Sequence, residues 1–209
     1  MTNLEAAQVL HNMPIFPLGS VLFPQGVLPL RIFETRYTDM VRECMRSNTA
    51  FGVCLITKGN EVGTAADFES IGCLARIVDF DMEQHGVLQI RTVGEQRFKV
   101  IEQHVDQSQL IRASIELIPE DVKHDVPDEF VGCANLAKQL VIEIKEKFDG
   151  DPEQVIAKPY EFELASWVAN RLCEVLPIES KAKQKLMELQ DPLNRLSLIN
   201  QFLENKQVF

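Results

Sequence analysis

Apolar positions recur at two spacings along this chain: every second residue over roughly 50–118, and at the helical spacing of about 3.6 residues beyond roughly 129. "AFGVCLIT" is an apolar run closed by the turn-forming "KGN". In "IGCLARIVDFD", Leu74, Arg76, Val78 and Phe80 alternate with Cys73, Ala75, Ile77 and Asp79, which places the two sets on opposite faces of a strand. "GVLQIRTVGEQRFKVIEQHV" alternates around Gly94, and "QLIRASIELI" ends the series. Short alternating segments broken by Gly, Asn and Asp predict an antiparallel sheet, closed or nearly so. One helix interrupts it early. In "TRYTDMVRECMRSN", Tyr37, Met40, Val41, Cys44 and Met45 form a single apolar stripe.

The charged, proline-bracketed stretch "PEDVKHDVPD" predicts a linker over 119–128, between a sheet subdomain (1–118) and a helical one (129–209). Beyond it, Phe130, Cys133, Ala137, Leu140, Ile144 and Phe148 share one side of a predicted helix. Phe162, Ala165, Val168 and Leu172 share the side of another. Ser180 is read as the cap of "KAKQKLMELQ", and Asp191-Pro192 as cap and first residue of a last helix buried through Leu193, Leu196, Ile199, Phe202 and Leu203. About five buried apolar side chains per helix contribute on the order of 10 kcal/mol before chain entropy is charged, so the helices need one another or the sheet.

The stretch "PIFPLGSVLFPQGVLPLRIFETRY", residues 14–37, fits neither period. Each proline removes a backbone donor, which excludes a helix interior and suits a central strand poorly. An extended chain along a sheet edge, turning at Pro24-Gln25-Gly26, accommodates them all.

Composition narrows the function. The chain has 209 residues, 45% of them apolar and 25% charged, with a net charge of −10. No apolar run reaches the ~18 residues of a membrane span. "MTNLEAAQVLHNM" lacks the basic start of a signal peptide, so a cytoplasmic protein is expected. Without a dense Lys/Arg cluster to displace phosphate counterions, nucleic acid is a poor partner. Cys44, Cys54, Cys73, Cys133 and Cys173 are scattered without a C-x-x-C pair and read as packing residues. His11, His85, His104 and His124 have no metal-ligand spacing, so no metal and no cofactor is expected. "GNEVGTAAD" lacks the Lys-Ser/Thr ending of a phosphate-binding loop and reads as a surface hairpin loop. Ser180 and Lys183 match S-x-x-K, but its partner motifs are missing, and a capping serine is the simpler reading.

In order, "PIFPLGSVLFPQGVLPLRIFETRY", "FGVCL", "IGCLARI" and "VGEQRFKV" resemble the amino-terminal, substrate-binding domain of Lon protease, most nearly the stand-alone proteins built around it. The likeness extends over roughly residues 13–203. It implies an α+β fold: a PUA-like β-barrel (pseudobarrel) with one inserted helix, followed by a C-terminal helical bundle. It also implies a non-catalytic protein- or peptide-binding module, without Lon's ATPase and peptidase domains, that engages apolar segments of unfolded proteins in quality control or as an adaptor. Docking on a separate protease and homo-oligomerisation stay open, and the alternative is a small-molecule-binding PUA-like protein. The motif residues so marked, as structural or recognition elements, are Pro29, Leu30, Phe33, Glu34, Arg36 and Tyr37 in the first string, and Gly94, Arg97 and Phe98 in the second. Glu34, Arg36 and Arg97 are expected to form an ion-paired buckle between helix and sheet, or else to frame a recognition surface. Gly94 is expected at a bulge or tight bend. Phe16, Phe23 and Trp167 are candidates for a groove between the two halves, with core packing the alternative for each.

Overall fold

The computed structural model describes residues 8–82, 87–147 and 152–206. Phe148 and His85 lie outside them. The strands are β1 (Val9–Leu18), β2 (Val27–Ile32), β3 (Phe51–Lys58), β4 (Asp67–Met82), β5 (Leu88–Val105) and β6 (Ile111–Leu117), with α1 (Thr35–Ser47) between β2 and β3. Four helices follow: α2 (Val131–Lys147), α3 (Ala165–Val175), α4 (Ser180–Glu188) and α5 (Pro192–Asn205). The strand order is β2-β5-β4-β3-β1-β6, and β6 pairs back onto β5. Thus β5, β4, β3, β1 and β6 form a closed ring. Along β5, residues 88–93 hold β2 and residues 98–105 hold β6.

The register shows how the prolines fit. β1 pairs with β6 from Val9 to Ile15 and with β3 from Ile15 to Leu18. Each half of β1 is therefore an edge on one side, which lets Pro14 and Pro17 lie within it without losing a ladder bond. Pro29 lies in β2, the end strand. At Pro24 the chain turns: Gln25 has a φ of 62°, and Gly26 N–H donates to the Phe23 carbonyl at 2.9 Å. Gly94 packs directly on this turn, where a Cβ would fall 2.1 Å from the Phe23 oxygen. It is a point of close backbone approach.

Within the ring, strands are covered on both faces. Cys73 and Ala75 of β4 join the core beneath α1, and Leu74 joins a second core with Phe98, Ile111 and Ile115. A register shift between Ile77 and Asp79 then breaks the expected alternation, because the irregularity at Val78 offsets the residues beyond it. On α1, Tyr37, Met40, Val41 and Cys44 are buried as predicted, but Met45 is exposed and Arg36 is buried in addition.

The helices enclose their own core, built on Trp167, Val168, Leu172, Leu196, Ile199 and Leu203 and joined by Phe23 from the turn. Phe130 and Phe162 precede α2 and α3 as packing residues rather than lying within them; Phe162 meets Trp167 edge-on at 5.0 Å. Asp191 caps α5, accepting from Leu193 N at 2.8 Å and Asn194 N at 3.4 Å. Ser180 does not cap α4. Glu179 holds that position, and the Ser180 hydroxyl donates 3.1 Å to the Gly19 carbonyl, tying α4 to the chain after β1.

Two arginine clamps join sheet to helices. Arg97 donates to the Met187 and Leu189 carbonyls at 2.8 and 2.6 Å and pairs with Asp121, which Arg195 also reaches at 2.7 Å. Arg171 donates to the Pro24 carbonyl at 2.7 Å and pairs with Glu174 at 2.9 Å.

Candidate functional site

Where β2 runs into α1, the string Pro29-Leu30-Arg31-Ile32-Phe33-Glu34 lines a slot of about 280 Å³. Phe16 and Leu18 of β1 form its floor, and Glu61 and Val62 of the β3–β4 loop form its far rim. Phe16 stacks on Tyr37 with ring centroids 3.9 Å apart. Burial pushes the Tyr37 phenol up to about 12, against the opposing pull of Arg36, so it stays neutral. The Arg36 guanidinium lies 4.5 Å over the Tyr37 ring, donates 3.0 Å to the Gln109 carbonyl and pairs with Glu34 at 3.1 Å.

The acids fix the loop. Glu34 accepts from Gly63 N at 3.4 Å, and Glu61 accepts from Gly19 N at 2.6 Å. Above these pinned walls, Phe33 is 60% exposed and Val62 54%. The result is a slot of mixed lining, apolar along Phe16, Leu18 and Leu30 and charged at Arg31, Glu34 and Glu61, with an exposed apolar rim that can take an apolar side chain.

The structure divides the motif residues into two groups. Pro29, Leu30, Phe33, Glu34 and Tyr37 gather around the slot, with Arg36 behind it. Gly94, Arg97 and Phe98 lie elsewhere: Gly94 at the turn, Arg97 under α4, and Phe98 fully buried in the sheet core. The expected three-residue buckle is therefore corrected. Glu34 pairs with Arg36, while Arg97 pairs with Asp121 across the junction, because the register of β5 carries Arg97 to the helical side.

The expected groove is corrected as well. Phe23 and Trp167 are buried together in the helical core, and Phe16 is 6% exposed at the base of the slot, so the three share no open wall. Clefts do exist at the junction, but other residues line them. One of about 610 Å³ runs past Gln25, Gly94, Arg97 and Asp121; another of about 300 Å³ is bordered by Val21, Leu28, Ile156, Glu174 and Lys183. In the first, Arg97 pairs with Asp121, and in the second Lys183 donates 2.8 Å to the Glu174 carbonyl.

The reactive residue types are placed for packing. All five cysteines are buried and unbridged. Burial raises the thiols, Cys133 to about 11 and Cys173 to about 12, far from the thiolate a nucleophile needs. Among the described residues no group of three or more His, Cys, Asp or Glu side chains could hold a metal ion. Ser180 and Lys183 bond to separate carbonyls, those of Gly19 and Glu174. Besides Arg31 and Ile32, which lie inside the motif string but were not singled out, Leu18, Glu61 and Val62 are the slot residues that sequence reasoning missed. The apolar Val62 within a polar loop was their one legible signal.

The fold is that of Lon amino-terminal domains. The crystal structure of a Lon N-terminal domain protein from Xanthomonas campestris matches with a TM-score of 0.73 at 30% identity, covering 91% of this chain and 97% of that one. The N-terminal domain of a Mycobacterium avium complex Lon protease shares the fold, with a TM-score of 0.57 at 15% identity over 90% and 95% of the two chains. The Lon protease of Anaeromyxobacter dehalogenans is 28% identical over 200 residues, covering 93% of this chain but 23% of its own length. Lon protease 1 of Bdellovibrio bacteriovorus is 27% identical over 200 residues, with 93% and 25% covered. This chain thus spans about a quarter of those relatives. The signature of the ATP-dependent protease La (LON) substrate-binding domain matches residues 12–205, and the chain belongs to that family. Among the described residues no helix is long and apolar enough to cross a membrane.

Proposed function

We propose that this protein is a non-catalytic module that holds exposed apolar segments of unfolded proteins, with the Phe33 slot as its contact site. The single observation that carries this reading is the exposed Phe33 rim over a slot built from the family's own motif. Covering the exposed part of Phe33 removes roughly 100 Å² of apolar surface, worth about 2–3 kcal/mol before ordering costs. One such anchor gives weak, permissive binding, as a receptor for many different segments requires. On this reading the ring of strands is a PUA-like barrel, residues 119–128 link it to a helical bundle, and the protein works in the cytoplasm in quality control or as an adaptor to a protease.

The test is binding of a reduced, alkylated, permanently unfolded protein by titration calorimetry. Phe33→Ala weakens it on the order of tenfold while leaving the unfolding midpoint unchanged, since exposed substitutions move stability by about 0.5 kcal/mol or less. Equal binding by Phe33→Ala and the wild type overturns the assignment. A second reading, a small-molecule binder, is favoured by the 610 Å³ junction cleft, and a ligand retained in native mass spectrometry and lost on enlarging Ser166 would support it.

A further inference from the structure

β4 outruns its neighbour. Its pairing with β3 extends only to Ala75, whereas its pairing with β5 continues to Met82. From Arg76 to Met82, β4 therefore has a strand on one side only among the described residues. The direction of its backbone groups follows from β5. In an antiparallel pair the residues alternate between those bonded to the partner and those turned away. The Phe80 and Met82 amides are turned away, and each is taken up by the carboxylate before it: Phe80 N–H donates to Asp79 Oδ1 at 3.0 Å and Met82 N–H to Asp81 Oδ1 at 2.8 Å.

The side chains on this edge alternate too. Beyond the register shift at Val78, the side chains of Phe80 and Met82 share a face and are 56% and 70% exposed, and Met82 is the most exposed large apolar residue among those described. Beside them, the exposed Met45 and the end of α1 border a hollow of about 220 Å³ that reaches Val78 and Phe80. Thioether side chains suit such a surface because they repack around varied partners. Asp79 and Asp81 occupy the intervening positions. Asp79 meets Arg91 at 3.5 Å but keeps 65% of its side chain exposed.

We propose that the open edge of β4 from Val78 to Met82 receives an extended segment of a partner protein as an added strand, and that this segment alternates apolar and basic residues. Strand addition supplies carbonyls to the two outward amides, and alternate side chains give the specificity. The apolar set of the incoming strand covers Phe80 and Met82. Once the amides bond to the incoming strand, Asp81 loses its amide partner and Asp79 keeps only Arg91 at 3.5 Å, so both carboxylates favour a neighbouring cation. A basic set answers them; an acidic set meets two exposed carboxylates on a chain of net charge −10. In the free protein the same carboxylates guard the edge, satisfying its amides and repelling a second copy. This edge shares no residue with the Phe33 slot, so the two assignments stand or fall separately.

The experiment is amide-resolved NMR on the whole chain titrated with short peptides of identical composition, one alternating lysine and valine, the other carrying them in two blocks. The alternating peptide is expected to slow exchange of the Phe80 and Met82 amides and to bind about tenfold more weakly to Asp79→Asn/Asp81→Asn at low salt. Phe80→Lys is expected to abolish the protection, and Phe33→Ala to leave it unchanged. Equal protection by the blocked peptide, or no protection of either amide at millimolar alternating peptide, overturns the proposal.

Discussion

Glu174 sits where α3 meets the turn after Phe23, so close that a Cβ on Gly26 would fall 2.0 Å from its Oε1. Its side chain is only 21% exposed, and burial pushes its carboxyl from 4.5 up to about 7 despite the opposing pull of Arg171 and Lys183. A carboxyl raised by folding binds its proton more tightly in the native state. It stabilises the fold fully below about 4.5, and that contribution is lost as pH rises to about 7. The span corresponds to at most on the order of 3 kcal/mol. Denaturant midpoints measured from pH 4 to 8 should fall in the wild type relative to Glu174→Gln across that window, and run parallel above it. Parallel curves throughout would show that the carboxyl is not raised. At the same scale, the five buried thiols should resist a thiol reagent in the native protein and all react in denaturant.

Helix ends differ at the scale of elements. α5 begins on a side chain that bonds two of its free amides, and α4 does not. Asp191→Ala should therefore cost about 1 kcal/mol in chemical denaturation. Ser180→Ala should cost less, because it removes one exposed bond to Gly19. Equal costs would restore Ser180 as a cap. The proline-bearing strands follow a related rule. β1 changes partner at Ile15 and β2 is an end strand, so each proline lies where one side of its strand has no ladder to complete.

Sheet and helices are bound into one molecule by buried guanidinium groups reaching across the junction. Arg97 and Arg195 are 3% and 1% exposed in their side chains and share the Asp121 carboxylate. Burial lowers the Arg97 pKa while Asp121 opposes the shift. Removing the carboxylate leaves two buried cations with carbonyl and amide partners alone. Asp121→Ala should cost about 3–5 kcal/mol by denaturant unfolding, whereas breaking the exposed Arg42–Asp39 pair should cost under about 1 kcal/mol. A loss at Asp121 no larger than at Asp39 would mean that the two halves are held by apolar packing alone.

The linear order of residues was enough to place the sheet before the helices and to locate most of their elements, though not where α2 and α3 begin, because period two and period 3.6 are local properties that survive in any context with one buried face. It also determined the α5 cap and the family motif. It could not determine the partners of charged residues: Arg97 and Glu34 are close in motif logic, yet the register of β5 sends Arg97 to a carboxylate beyond the sheet. Nor could it tell buried aromatics from exposed ones. Phe23, Phe33 and Trp167 look alike as apolar residues, and only the tertiary packing leaves Phe33 uncovered, where β2 ends and α1 has yet to begin. The open β4 edge was equally hidden, since the length by which one strand outruns another is set by three-dimensional pairing and not by the sequence of either strand.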